Sequence, residues 1–178
     1  MTMTPRLRKL ALTVHVTSSV GWLGAVMAFL ALAIVGLASQ NTQTVRAVYL
    51  AAVPITWYVL VPLAVASLLT GLTSSLGTPW GLFRHYWVLF KLLLNVLATI
   101  VLLIYTQTVG AFADLAAKPG ANLGELRAPT FLLHSTLALL VLLVATVLAV
   151  YKPRGLTRYG RRKQRDQRCQ QQPAVLVP

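Results

Sequence analysis

Acidic residues are almost missing from this chain: Asp114, Glu125 and Asp166 are its only carboxylates, against sixteen lysines and arginines. Cysteine is scarcer still. Cys169 stands alone, so an intrachain disulfide, a cysteine-based zinc site and a covalent heme attachment are all excluded. Three scattered methionines do not supply the clustered soft ligands of a copper site. No Gly-rich phosphate loop, Ser/His/Asp set or metal-spaced group of acids and histidines is present, which leaves no soluble catalytic constellation. Charge as a whole is thin, at 11% of residues where soluble domains carry about 25%.

Apolar residues fill the space: 57% of the chain is hydrophobic and its mean hydropathy is +0.71. Four apolar segments, about 10–38, 47–76, 86–109 and 129–151, each exceed the ~20 residues that cross a bilayer as a helix. In lipid, backbone amides must be satisfied within a segment or a closed barrel, and connections this short leave no room for a barrel. The expected fold is therefore all-α, a four-transmembrane-helix bundle over residues 1–154 with a basic tail over 155–178. Arg6, Arg8 and Lys9 before the first segment resemble a signal peptide, but its apolar run is longer than a ~7–15-residue signal core. An uncleaved anchor helix is expected there. Pro54 and Pro62 should kink the second helix.

The formal charge of +13 would suit a nucleic-acid partner, but its distribution argues for topology instead. Eight basic residues lie between Lys152 and Arg168 and three precede the first helix, so both termini are expected to be cytoplasmic, in a multi-pass plasma-membrane protein. Arg46, Lys118 and Arg127 then face outward, with residues 110–128 as an external loop. The tail lacks apolar periodicity and is expected to be disordered beyond about Gly155. It is either a topology signal only or a surface for anionic lipid headgroups, worth ~1 kcal/mol per basic residue near the membrane.

Lys91 falls inside the third apolar segment, where an uncompensated charge costs at least ~2.5–3.5 kcal/mol. No acid lies in any of the four segments to pair with it. Three readings are open: the side chain snorkels to the headgroups, it is a neutral amine, or it meets an anion that the chain does not encode. Arg84, Lys91 and Tyr105 are spaced by multiples of seven and Asn95 follows Lys91 by four, which makes one polar stripe. His15, Ser18, Ser19 and Trp22 share a face of the first helix, and Ser67, Thr70 and Ser74 a face of the second. At 1.5 Å per residue His15 and Lys91 lie ~9 and ~10 Å from the same membrane boundary, so three helices bring polar groups to one depth. Small residues at Gly21 and Ala25, and at Ser67, Gly71 and Ser75, allow close helix approach, within one bundle or between copies in a homo-oligomer. His134 lies ~18 Å deeper than His15, which prevents the two from sharing one iron. It is expected to bond a carbonyl or hydroxyl across the bundle, or else to be a ligand on the external side. His85, beside Trp80, Tyr86 and Trp87, belongs to an interfacial aromatic belt or reaches His15 through its loop.

The stretches HVTSSVGWLGAVMAFLALAIVGL at 15–37 and SLGTPWGLFRHYWVLFKLLLNVLATIVLL at 75–103 resemble a family of predicted four-helix bacterial integral membrane proteins of unknown function. The early helix-1 histidine, the Trp-x-Gly after it and the W-x-x-x-K opening helix 3 are also distantly similar to copper-resistance D-type membrane domains and to the HemJ-type membrane protoporphyrinogen oxidase. In that oxidase the corresponding histidine and lysine are associated with heme, so the resemblance implies a role for His15 and Lys91. The leading expectation is a membrane protein that binds heme b or a similar anionic cofactor in the cytoplasmic half of the bundle. His15 would be an iron ligand, Lys91 would hold a propionate or be the second ligand, His85 would be the alternative second ligand, and Trp22 would line the pocket. The alternatives are a small transporter subunit and a non-catalytic accessory protein whose basic tail binds lipid or a partner.

Overall fold

The computed structural model describes residues 4–76, 84–153 and 155–171. Seven α-helices are described: α1 (Pro5–Ala38), α2 (Thr42–Ile55), α3 (Val61–Leu76), α4 (Tyr86–Ala117), α5 (Leu123–Leu126), α6 (Thr130–Tyr151) and α7 (Arg158–Gln171). No strand occurs among the described residues, apart from an isolated bridge between His85 and Leu156. Four helices are long and apolar enough to cross a membrane: Pro5–Ala38, Thr42–Leu76, Tyr86–Ala117 and Thr130–Tyr151.

Local chemistry sets the ends. Pro5 occupies the first turn of α1, where its missing N–H breaks no helical bond. Asn41 caps α2, its side-chain oxygen accepting from the Gln43 and Thr44 amides at 2.9 and 3.4 Å. The helices overrun the apolar segments, and α4 continues to Ala117 through much of the expected external loop. Arg46 explains that extension: its Nε donates to the Ala116 carbonyl at 2.6 Å and its Nη2 to that of Lys118, satisfying carbonyls that a helix end leaves open. Arg127 does the same for α1 by donating to Ser39 O at 2.5 Å.

The two prolines do not end the second span. A π-helical turn over Thr56–Leu60 joins α2 to α3, with Val61 N–H donating to Thr56 O. Widening the turn gives room to the Pro62 ring, which would otherwise strike the carbonyl four residues back. Thr56 Oγ1 donates to Ala52 O at 2.7 Å and steadies the turn from inside.

Two different cements hold the bundle. Toward the end bearing the α1–α2 turn, Phe131 is the hub of an aromatic cluster, with Phe29, Tyr49, Tyr105 and Phe112 ring centroids 4.9–5.8 Å away. Tyr49 OH also donates to the Leu126 carbonyl. Toward the other end polar contacts and small residues replace rings: Ser19 and Ser67 hydroxyls meet at 2.8 Å, tying α1 to α3. The outward faces carry exposed Leu, Ile and Val side chains, as lipid contact requires.

Residues 158–171 of the tail form a helix where disorder is expected. α7 forms without an apolar face because Arg, Lys and Gln favour helix, and because Thr157 caps it through a 3.0 Å bond from Gly160 N–H. It is docked to the start of α4: Thr157 N–H donates to Arg84 O and Tyr86 N–H to Gly155 O. A Cβ at Gly160 would collide with the Arg84 carbonyl oxygen, so this approach requires glycine. Trp80, expected in the aromatic belt, lies outside the described residues.

The two cements should differ in strength. Phe131→Ala is expected to destabilise the detergent-solubilised protein by about 3 kcal/mol through the cavity left behind. Ser19→Ala should cost about 0.6 kcal/mol, the usual worth of one interhelical hydrogen bond in a membrane. Denaturant titration of both variants checks the ranking, and a larger loss at Ser19 would contradict it.

Candidate functional site

Four helix ends enclose a half-open cavity of about 450 Å³, lined by Arg8 and His15 of α1, Gly71, Ser74 and Ser75 of α3, Trp87, Lys91 and Asn95 of α4, and Lys152 after α6. The beginning of α1 and the end of α6 therefore lie at one end of the bundle. Its volume is in the ~300–1,000 Å³ range of small-ligand sites.

Lys91 and His15, placed at one depth by counting residues, are in contact: Nζ is 3.4 Å from His15 Nε2. The other ring nitrogen, Nδ1, is 3.2 Å from Thr70 Oγ1. Thr70 decides the tautomer. Its hydroxyl proton is committed to the Ala66 carbonyl at 2.5 Å, so its oxygen can only accept from His15. Nδ1 carries the hydrogen in this assignment, and Nε2 presents a lone pair to Lys91 and the cavity. An imidazole held by one nitrogen with the other exposed as an acceptor is the arrangement of a metal-ligating histidine.

Packing fixes the ring as well. Gly71 lies against it so closely that a Cβ there would come within 3.0 Å of His15 Cε1. The small residue expected to serve helix approach thus makes room for an imidazole. Ser74 Oγ is buried without a hydrogen-bond partner among the described residues. Lys152 reaches the wall because the chain turns there through a left-handed conformation (φ 44°, ψ 62°), which costs a non-glycine residue roughly 1–2 kcal/mol.

The electrostatics are one-sided. Arg8, Lys91 and Lys152 are all cationic wall residues, and among the described residues no carboxylate pairs with Lys91. A positive wall of this kind attracts anions, and the imidazole lone pair beside it suits an electrophilic atom.

Two candidates lie elsewhere. Trp22, although on the His15 face of α1, is 2% exposed and lines a second cavity two turns along the helix. It is not a wall of the His15 pocket, because α1 turns that depth of the bundle toward α4 and α6. His85 pairs with Leu156 across the bridge and lies 6.3 Å from the Trp87 ring, and it does not line the cavity. Docking of residues 155–157 on the 84–86 segment holds it there. Among the described residues no group of three His, Cys, Asp or Glu side chains is placed to hold a metal ion. His134 bonds within its own helix, with Nδ1 2.9 Å from Thr130 O, rather than across the bundle.

Arg8 and Lys152 carry no motif, because each joins the site only through the way helix ends come together, whereas Ser74 shares the polar face of Ser67 and Thr70. Thr70 had a signal in its three- and four-residue spacing from Ser67 and Ser74. No family model, curated protein or solved structure matches the chain.

An ammonium kept half-buried without a counter-charge is a cost to the ligand-free protein. Lys91→Met should therefore raise its stability in detergent by at least about 1 kcal/mol. A loss of stability would assign the lysine a structural role.

Proposed function

We propose that this is a multi-pass plasma-membrane protein that binds heme b, or another planar anionic cofactor of that kind, at the His15–Lys91 pair, with both chain termini cytoplasmic. The observation that carries the reading is the pairing itself: an imidazole with its Nε2 lone pair turned to an amine, in a cavity whose other charged walls are Arg8 and Lys152. Iron seeks the first group and carboxylates seek the second. When bound, heme supplies reversible one-electron exchange.

The donor set fits this ligand in type. Thr70 holds the His15 ring and keeps its proton on Nδ1, so the lone pair needs no rearrangement before ligation. Lys91 would hold a carboxylate of the cofactor, and Arg8 and Lys152 extend the positive wall. The Lys91 amine is the nearer candidate for a second ligand than His85, which the bridge to Leu156 keeps outside the cavity. α7, with Arg158, Arg161, Arg162, Lys163 and Arg165 exposed beyond the same end, rests on anionic headgroups in this reading.

Protein expressed in a heme-replete host and purified in mild detergent should show a stoichiometric Soret band that shifts on reduction. His15→Ala should abolish it, and Thr70→Val should weaken cofactor retention about 10- to 100-fold by releasing the ring. A colourless folded preparation, or full cofactor content in His15→Ala, contradicts the proposal.

A further inference from the structure

The second cavity lies between α1, α4 and α6, deeper in the bundle than the His15–Lys91 pair, and encloses about 140 Å³. That is nearly the ~150 Å³ of an apolar cavity known to admit one benzene ring. Its floor is buried, with Trp22, Tyr105 and Leu142 less than 9% exposed. Its rim is not: Leu97 and Leu137, 54% and 60% exposed, line the opening between α4 and α6 on the face that meets lipid. A ligand would thus enter sideways from the bilayer, ring inward and any hydrocarbon tail left among the lipids.

Hydrogen-bond accounting identifies what the ring must carry. Thr56 and Ser135 on the wall spend their hydroxyl protons on Ala52 O and Phe131 O of their own helices, and Tyr105 OH is bonded to Thr130 Oγ1. His134, stacked on Tyr105 with centroids 3.9 Å apart, has Nδ1 2.9 Å from Thr130 O. A carbonyl can only accept, so Nδ1 is the protonated nitrogen and Nε2 holds a lone pair. Nε2 has no partner among the described residues. A hydroxyl can donate to that lone pair, whereas an ether or a ketone has no proton to give.

We propose that this crevice binds a membrane-dissolved aromatic alcohol, a phenol or hydroquinone with a hydrocarbon tail, whose hydroxyl donates to His134 Nε2. The site is independent of the His15–Lys91 cofactor reading and stands or falls without it.

The test uses the full chain in lipid nanodiscs with 4-pentylphenol and its methyl ether, which differ by the single donor proton. Binding is read from tryptophan emission, corrected for partition into empty nanodiscs. The phenol should bind saturably and at least about tenfold more tightly than the ether, since the ether leaves His134 unpaired. His134→Phe, which keeps a ring stacked on Tyr105, should collapse that preference. Ala138→Phe, which fills the cavity, should abolish saturable binding of both. Equal affinity for phenol and ether, a preference that survives in His134→Phe, or saturable binding that survives in Ala138→Phe overturns the proposal.

Discussion

A cation placed among hydrocarbon must find water, an opposite charge or a route to the headgroups, and a chain with three acids, none inside an apolar segment, leaves Lys91 little choice. Much of the local architecture follows from that constraint. Lys91 faces a half-open cavity instead of lipid; His15 meets it with a lone pair; Gly71 gives up its side chain so that the imidazole fits. Thr70 supplies the last element by accepting from Nδ1 and thereby deciding which nitrogen faces the amine. Arg8 and Lys152, at the start of α1 and the end of α6, bring still more positive charge to the same wall.

The two ends of the bundle divide the work. At the end with the α1–α2 turn, four aromatic rings pack around Phe131 and two arginines seal the carbonyl ends of α1 and α4. Among the described residues no comparable aromatic cluster fastens the cavity end, where serine hydroxyls and small residues make contacts. Stability is thus concentrated where no polar site lies, and the cavity end is left free to hold groups that packing alone would not choose. The π turn at Thr56–Leu60 falls between the two regimes and lets the second span continue through both prolines.

Much of this was legible from spacing, for a physical reason: a membrane helix has fixed rise and pitch, so residue counts translate into depth and face. His15 and Lys91 were matched by depth alone, and their side chains lie 3.4 Å apart. The same arithmetic separated His134 from His15. It failed for Trp22, because a shared face does not mean a shared cavity when that face borders α3 at one depth and α4 and α6 at another. The overrun of α4 to Ala117 depended on Arg46, some seventy residues away in sequence, which no local pattern reveals. α7 has no apolar periodicity to mark it in the sequence, because this helix is built on propensity, a threonine cap and one glycine contact.

The two cavities lie one after the other along α1, with His15 in the first and Trp22 in the second, and each presents a histidine whose free nitrogen is fixed as an acceptor by a threonine on its other side. One is cationic and open toward the helix ends, the other apolar and open toward lipid. Whether an anion from outside the chain answers Lys91 can be read by native mass spectrometry of the purified wild type and Lys91→Met, both from a heme-replete host and released gently from detergent. The wild type should carry one anionic adduct, of heme b or a similar cofactor, and the variant should lose most or all of it; bare chain in both, or the same adduct at equal occupancy in both, would refute an external anion at Lys91.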